Sequence, residues 1–219
     1  MHVNDLSLKP SVLNTFVAEI RDKTIQKDKM RFRRNIERIG EIIAYQMSKT
    51  FPYHTRLVTT TFGDSITETI ADEIVICSVL RAGLPLHQGL LNYFDASDNA
   101  FISAYRHHVP NTSTFNIKVE YVACPNLNDK ILILADPMLA TGQSLVSAYK
   151  ALARYGTPKN IHIASVLGSK PGIDYVSKNL PVATTLWVAA VDNALSAKGY
   201  IMPGLGDAGD LAFGEKLQH

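Results

Sequence analysis

The residue types best suited to chemistry lie together in Asp136-Pro137-Met138-Leu139-Ala140-Thr141-Gly142-Gln143-Ser144. An acid follows almost directly on the apolar β-formers of 131–134, and a turn of small residues carrying hydroxyls leads into a helical pattern. Such a turn can grip a phosphate, because its backbone N–H groups and the positive end of the helix face the anion while hydroxyls add donors. Gly142 would allow a close approach or a positive φ. On spacing alone, an ordinary strand-to-helix turn fits these residues equally well.

Two arginines add weight to the phosphate reading. Arg81 follows the near-continuous apolar run 73–80, and Arg106 ends the strand-like run 100–105. Guanidinium matches phosphoryl oxygens bidentately and does not lose its charge, so a pair of them beside a phosphate turn suits a diphosphate. Taken singly, either arginine reads as a surface or ion-pair residue.

The elements that must position these groups can be read from periodicity. Residues 12–20 form a short helix, and 28–49 a longer one with Phe32, Ile36, Ile39, Ile43 and Met47 on one face. Arg33, Arg34 and Arg38 fall mostly off that face and read as solvated. A Thr- and Val-rich strand at 57–62 turns through Gly63-Asp64 into a partner at 65–70. The run 73–80 is a strand covered on both sides, with Pro85 opening a helix over 86–93. Residues 115–123 alternate and form a protruding arm with the preceding segment, over about 106–124. A helix at 144–155, a strand at 161–167, a helix at 173–179 and a strand at 184–191 follow. The alternation implies an α/β fold: one domain over 1–219, with a mostly parallel twisted sheet flanked by helices. Ligands then sit at the carboxyl ends of the strands. Residues 199–210 hold four glycines and a proline, which excludes a regular helix or central strand and implies a shaped loop.

Composition narrows the class. In 219 residues, 22 basic groups nearly balance 20 acidic ones, which argues against a nucleic-acid partner or an anionic membrane. A mean hydropathy of +0.02 fits a water-soluble globular protein. No apolar run approaches the roughly 18 residues of a membrane span. The N-terminus lacks the pattern of a signal peptide, and Cys77 and Cys124 form no spaced metal motif, so the cytoplasm is the expected compartment.

Several segments resemble the uracil phosphoribosyltransferases. Asp136 to Gly142 looks like their ribose-phosphate loop, Val79-Leu80-Arg81-Ala82-Gly83-Leu84-Pro85 like their diphosphate segment, and Tyr105-Arg106 like a Tyr-Arg pair that follows. Tyr200-Ile201-Met202-Pro203-Gly204-Leu205-Gly206-Asp207-Ala208-Gly209-Asp210-Leu211-Ala212-Phe213 is similar almost throughout to their C-terminal uracil loop. The resemblance implies a type I phosphoribosyltransferase fold and the reaction of uracil with 5-phospho-α-D-ribose 1-diphosphate to give UMP and diphosphate, in pyrimidine salvage. It implies that Asp136 holds the ribose hydroxyls and that the 137–144 loop cradles the 5-phosphate, with donors from Ala140 to Ser144. Arg81 and Arg106 would bind the diphosphate. Ile201, Gly206 and Ala208 would offer backbone groups to uracil. Asp207 would approach the reacting side, through Mg²⁺ held mainly by the diphosphate or through water, with no direct protein ligation of the metal. A homodimer or larger homo-oligomer is implied as well.

The chain departs from the family at three places. Gln143 stands where a second glycine is usual, His107 and His108 follow Tyr-Arg where acids are common, and Val122 takes the place of an arm lysine that Lys118 would have to replace. Two other readings keep the same scaffold: a non-catalytic sensor of uridine nucleotides, and a transferase for another base. A sensor that bound RNA should carry a basic face, and none shows in these loops.

Overall fold

A computed structural model describes residues 1–108 and 115–216, with the side chains of 104–108 and 115–118 outside the description. The chain starts as strand β1 (His2–Asp5) and helix α1 (Val12–Arg21), where Ser11 and Asn14 form a reciprocal capping pair. Helix α2 (Lys29–Ser48) is capped by Asp28, whose carboxylate accepts from the Arg31 N–H. A separate hairpin follows, β2 (Tyr53–Thr60) and β3 (Gly63–Ile70). Next come β4 (Ile74–Leu80), α3 (Gly83–Leu91), and the antiparallel pair β5 (Asp98–His108) and β6 (Phe115–Ala123). Strands β7 (Ile131–Ala135) and β8 (Met138–Leu139) lead into α4 (Gln143–Leu152). The last part comprises β9 (Asn160–Ser169), α5 (Lys170–Asn179), β10 (Thr185–Asp192), a small ribbon of β11 (Ala194–Leu195) with β12 (Ile201–Met202), and α6 (Ala208–Phe213).

The main sheet has the order β1-β10-β9-β7-β4-β5-β6, with β8 also on β9, and every pairing in it except β5–β6 is parallel. Alternate side chains feed two cores. Ile74, Ile76, Ile131 and Ile133 point to the face covered by α1, α2, α3 and α6. Val75, Cys77, Leu132 and Leu134 point to the face covered by α4 and α5. Burial on both faces explains why β4 and β7 read as unbroken apolar runs. The α/β architecture is the one expected. Phe32, Ile36, Ile39, Ile43 and Met47 are all buried, so α2 uses the face its periodicity assigned.

Several local expectations are corrected. Strand β1, four residues at the sheet edge, was absent from the sequence reading because it is too short to show a period. Arg106 lies within β5, which runs on to His108, rather than at a strand's end. Helix α3 begins at Gly83, which places Pro85 in its first turn, a position that lacks no hydrogen bond by having no N–H. The first hairpin turns at Thr61-Phe62, since Gly63 already pairs with Thr60. Helix α5 starts at Lys170 because Ser169 caps it and Pro171 fits its first turn. The glycine-rich tail is not loop throughout: Ile201–Met202 form β12, and beyond Asp207 helix α6 begins. Arg33 is not on a solvated face: its guanidinium donates to the Ala212 carbonyl at 2.7 Å and lies over the Phe213 ring.

Candidate active site

Register brings the first two chemical loops together. Ser78 of β4 pairs with Ala135 of β7, so the segments that carry Arg81 and Asp136 leave from neighbouring carboxyl ends of the sheet. The Leu80–Arg81 peptide is cis. Asp136 is half-buried and one oxygen accepts the Met138 N–H at 3.2 Å, which folds the chain into the turn behind it. The Pro137 carbonyl accepts from the N–H groups of Val166 and Leu167, anchoring that turn to β9.

The turn ends in Gly142, the N-cap of α4, with φ +74°. A Cβ there would lie 2.7 Å from Val176 Cγ2 and 2.8 Å from the Gly172 carbonyl, so both conformation and space call for glycine. Ser169 locks the other side of the turn, donating to the Ala140 carbonyl at 2.6 Å while accepting the Gly172 N–H at 2.9 Å. Gln143 is the first residue of α4, and its N–H meets the Thr141 hydroxyl only at 3.5 Å, the limit of a hydrogen bond. Ser144 follows in the same turn. The segment 137–144 is thus a strand-to-helix turn that ends at the N-terminus of α4, where an anion is favoured in general.

The third loop meets the first at one carboxylate. Arg81 donates to Asp210 Oδ1 and to the Gly214 carbonyl, each at 3.3 Å. Asp207 caps α6 by accepting the Asp210 N–H at 3.0 Å, and Lys216 bridges Asp207 Oδ2 at 2.9 Å and Asp210 Oδ1 at 3.2 Å. Burial works to raise the Asp207 pKa, but the Lys216 ammonium and the Asp210 N–H outweigh it and hold the group below its ordinary value. Burial likewise opposes charge on Lys216, and the two carboxylates more than restore it. Both are therefore ionised at neutral pH.

Beside this cluster lies a cavity of about 360 Å³ lined by Leu205, Gly206, Asp207, Asp210 and Gly214, with Lys29 of α2 opposite. That size suits a small-molecule site. Of the residues expected to meet ligand, Gly206 and Asp207 line it, whereas Arg81, Asp136 and the 137–144 turn do not. Ile201 and Ala208 are almost wholly buried in the first core and do not line the cavity. The roles assigned to the side chains of Arg106, His107, His108 and Lys118 lie outside the described residues. Val122, in the arm-lysine position, is partly buried and packs on the second core, so an apolar residue suits that site.

Sequence reasoning missed Lys216, Asp210, Ser169, Arg33 and the Arg21–Asp192 pair. Only Ser169 left a signal, as a helix cap before Pro171. Arg33 and the Arg21–Asp192 pair act through partners far off in the chain, whereas Lys216 meets Asp207 and Asp210 only because α6 folds the tail back.

Comparison with known proteins identifies the family. The sequence matches the family described as uracil phosphoribosyltransferase over residues 7–215. It is 52% identical to a uracil phosphoribosyltransferase of Porphyromonas gingivalis, over 99% of this chain and all of that one. A uracil phosphoribosyltransferase of Thermococcus gammatolerans is 37% identical over 92% of this chain and 89% of its own. Among solved structures, the AQ2163 protein from Aquifex aeolicus superposes with a TM-score of 0.86 at 26% identity, over 99% of this chain and all of that one. The chain belongs to the uracil phosphoribosyltransferase family.

Proposed function

We propose that this enzyme joins uracil to the phosphoribosyl group of 5-phospho-α-D-ribose 1-diphosphate, releasing UMP and diphosphate in pyrimidine salvage. The observation that carries the reading is the meeting of Arg81 with Asp210, which sets the diphosphate segment against the base loop, the loop that lines the cavity. The turn 137–144 holds the 5-phosphate, and Asp136, one oxygen already on the Met138 N–H, holds the ribose hydroxyls. Arg81, with Arg106, takes the diphosphate. Backbone groups at Ile201, Gly206 and Ala208 read the uracil edge. A mispaired base would leave those buried polar groups unsatisfied, which disfavours cytosine.

The reaction asks the protein mainly for orientation and charge. Diphosphate leaves the anomeric carbon as the uracil ring nitrogen attacks from the opposite side and gives up its proton to solvent, and the arginines stabilise the leaving charge. Asp207, held ionised by Lys216, is a weak base, so it orients ligand rather than abstracting the proton. Asp207 and Asp210 are hard oxygen donors of the kind Mg²⁺ takes. Among the described residues no three acids, histidines or cysteines gather to hold an ion alone, so the diphosphate would supply most ligands. When bound, the ion neutralises charge on the leaving group.

The hairpin β2–β3 supports assembly into a homo-oligomer. It pairs with no other described strand, and Leu57, Phe62 and Ile66 are 62%, 100% and 74% exposed. A two-stranded hairpin is marginal alone in water, so a second copy is the natural cover; sedimentation at micromolar concentration should give a dimer or larger species. No described helix is long and apolar enough to cross a membrane, and the free thiols Cys77 and Cys124 support a cytoplasmic location. The reading is tested by competition among uracil, cytosine, hypoxanthine and orotate with Mg²⁺ and phosphoribosyl diphosphate. Uracil should be the base consumed; consumption of another base in preference would overturn it.

A further inference from the structure

Asp192, the last residue of β10, is buried, and its carboxylate is shared between two distant segments. Arg21, at the end of α1, grips it bidentately, with Nη1 2.8 Å from Oδ2 and Nη2 2.9 Å from Oδ1. The same Nη1 donates to the Gly204 carbonyl at 3.2 Å, and the Gly204 N–H donates to Asp192 Oδ2 at 3.1 Å. One ion pair therefore holds both the N–H and the C=O of a single loop residue. Gly204 has φ +57°, and a Cβ on it would lie 2.2 Å from the Ile201 carbonyl. The loop thus folds back on itself at this residue.

Gly204 lies between Ile201 and the Gly206–Ala208 backbone. Fixing its peptide fixes the spacing of the groups on either side. A network of charge-assisted, buried hydrogen bonds is well suited to that task, because it has one satisfied geometry and loses heavily in others. We propose that Asp192 and Arg21 are positioning residues for base recognition, clamping Gly204 so that the flanking backbone keeps the spacing that reads a pyrimidine edge. The inference rests on the reading of this loop as the uracil site. It gives α1 a part in specificity although that helix supplies no group to the cavity.

The test is steady-state kinetics of the full-length protein, varying uracil and phosphoribosyl diphosphate separately, for Asp192→Asn, Arg21→Lys and Gly206→Ala. Thermal melts establish that each variant is folded. A positioning role requires KM for uracil to rise about tenfold in the clamp variants while KM for phosphoribosyl diphosphate stays within about twofold. A merely structural role would raise both together or lower kcat alone, and either outcome overturns the proposal, as does an unchanged uracil KM. Should Asp192→Asn fail to fold, Arg21→Lys, which keeps the charge but loses the fork, decides the matter. Gly206→Ala alters the loop itself. If it raises the uracil KM and the clamp variants do not, the clamp alone is wrong. If it too leaves the uracil KM unchanged, the base reading of the loop falls with it.

Discussion

The Lys216 ammonium lies 2.9 Å from Oδ2 of Asp207, although a short helix separates the two residues. Lys216 also reaches Asp210, which Arg81 contacts from the other side. Two cations and two carboxylates thus alternate in one cluster, and its two carboxylates line the cavity. The pair is about one third exposed, so its contribution to stability is at most about 1 kcal/mol. Its value lies in where it holds the Asp207 carboxylate.

Replacing Lys216 by Met should accordingly leave the fold nearly intact, with Tm within about 3 °C of the parent. Asp207 would lose its main counter-charge, and kcat/KM for phosphoribosyl diphosphate should fall roughly tenfold. Paired melting and rate measurements separate the two effects.

Arg81→Lys keeps the charge and removes the planar fork. Lysine can satisfy Asp210 as a point charge but cannot hold phosphoryl oxygens bidentately. KM for phosphoribosyl diphosphate should therefore rise about tenfold or more, with little change in KM for uracil.

Gly142→Ala tests the phosphate turn by packing. The new methyl would press on Val176 and on the Gly172 carbonyl in a backbone that already has positive φ. A loss of roughly 1–3 kcal/mol is expected in denaturant unfolding, together with weaker phosphoribosyl diphosphate binding as α4 and α5 part.

His162 gives a pH signature far from the site. It is buried, accepts the Trp187 indole N–H at 3.2 Å and lies edge-on to Phe51. Burial pushes its pKa down from 6.5 to about 4. Between those pH values the unfolded chain binds the proton and the folded chain does not. Stability contributed by neutral His162 is thus complete above pH 6.5 and is lost as pH falls toward 4, by about 3 kcal/mol in all. His162→Gln, which keeps an acceptor for Trp187 and does not titrate, should flatten that part of the stability–pH curve.

How much of this was legible in the sequence depended on distance along the chain. The buried strands β4 and β7 and the apolar face of α2 are local patterns, and each was read correctly; the strand-to-helix plan at Asp136 to Ser144 was read too, but not β8 within it nor the helix start at Gln143. The tail was read as a loop because its glycines outweigh the helix-forming residues after Asp207, yet Asp207 is a good cap and α6 begins behind it. Arg33 was misread because an arginine off the apolar face meets solvent unless another segment arrives, and α6 arrives from the opposite end of the chain. Arg21 and Asp192 are 171 residues apart, and no spacing rule links them. Lys216 gave no signal for a different reason: its partners are close in the chain but are set by the turn of a short helix, not by a period.

The central claim is catalytic, and formation of UMP measures it most directly. The purified protein with uracil, phosphoribosyl diphosphate and Mg²⁺ should yield UMP and diphosphate in equal amounts, at a rate proportional to enzyme and sharply reduced by Arg81→Ala. Absence of UMP at micromolar enzyme from folded protein would contradict the account.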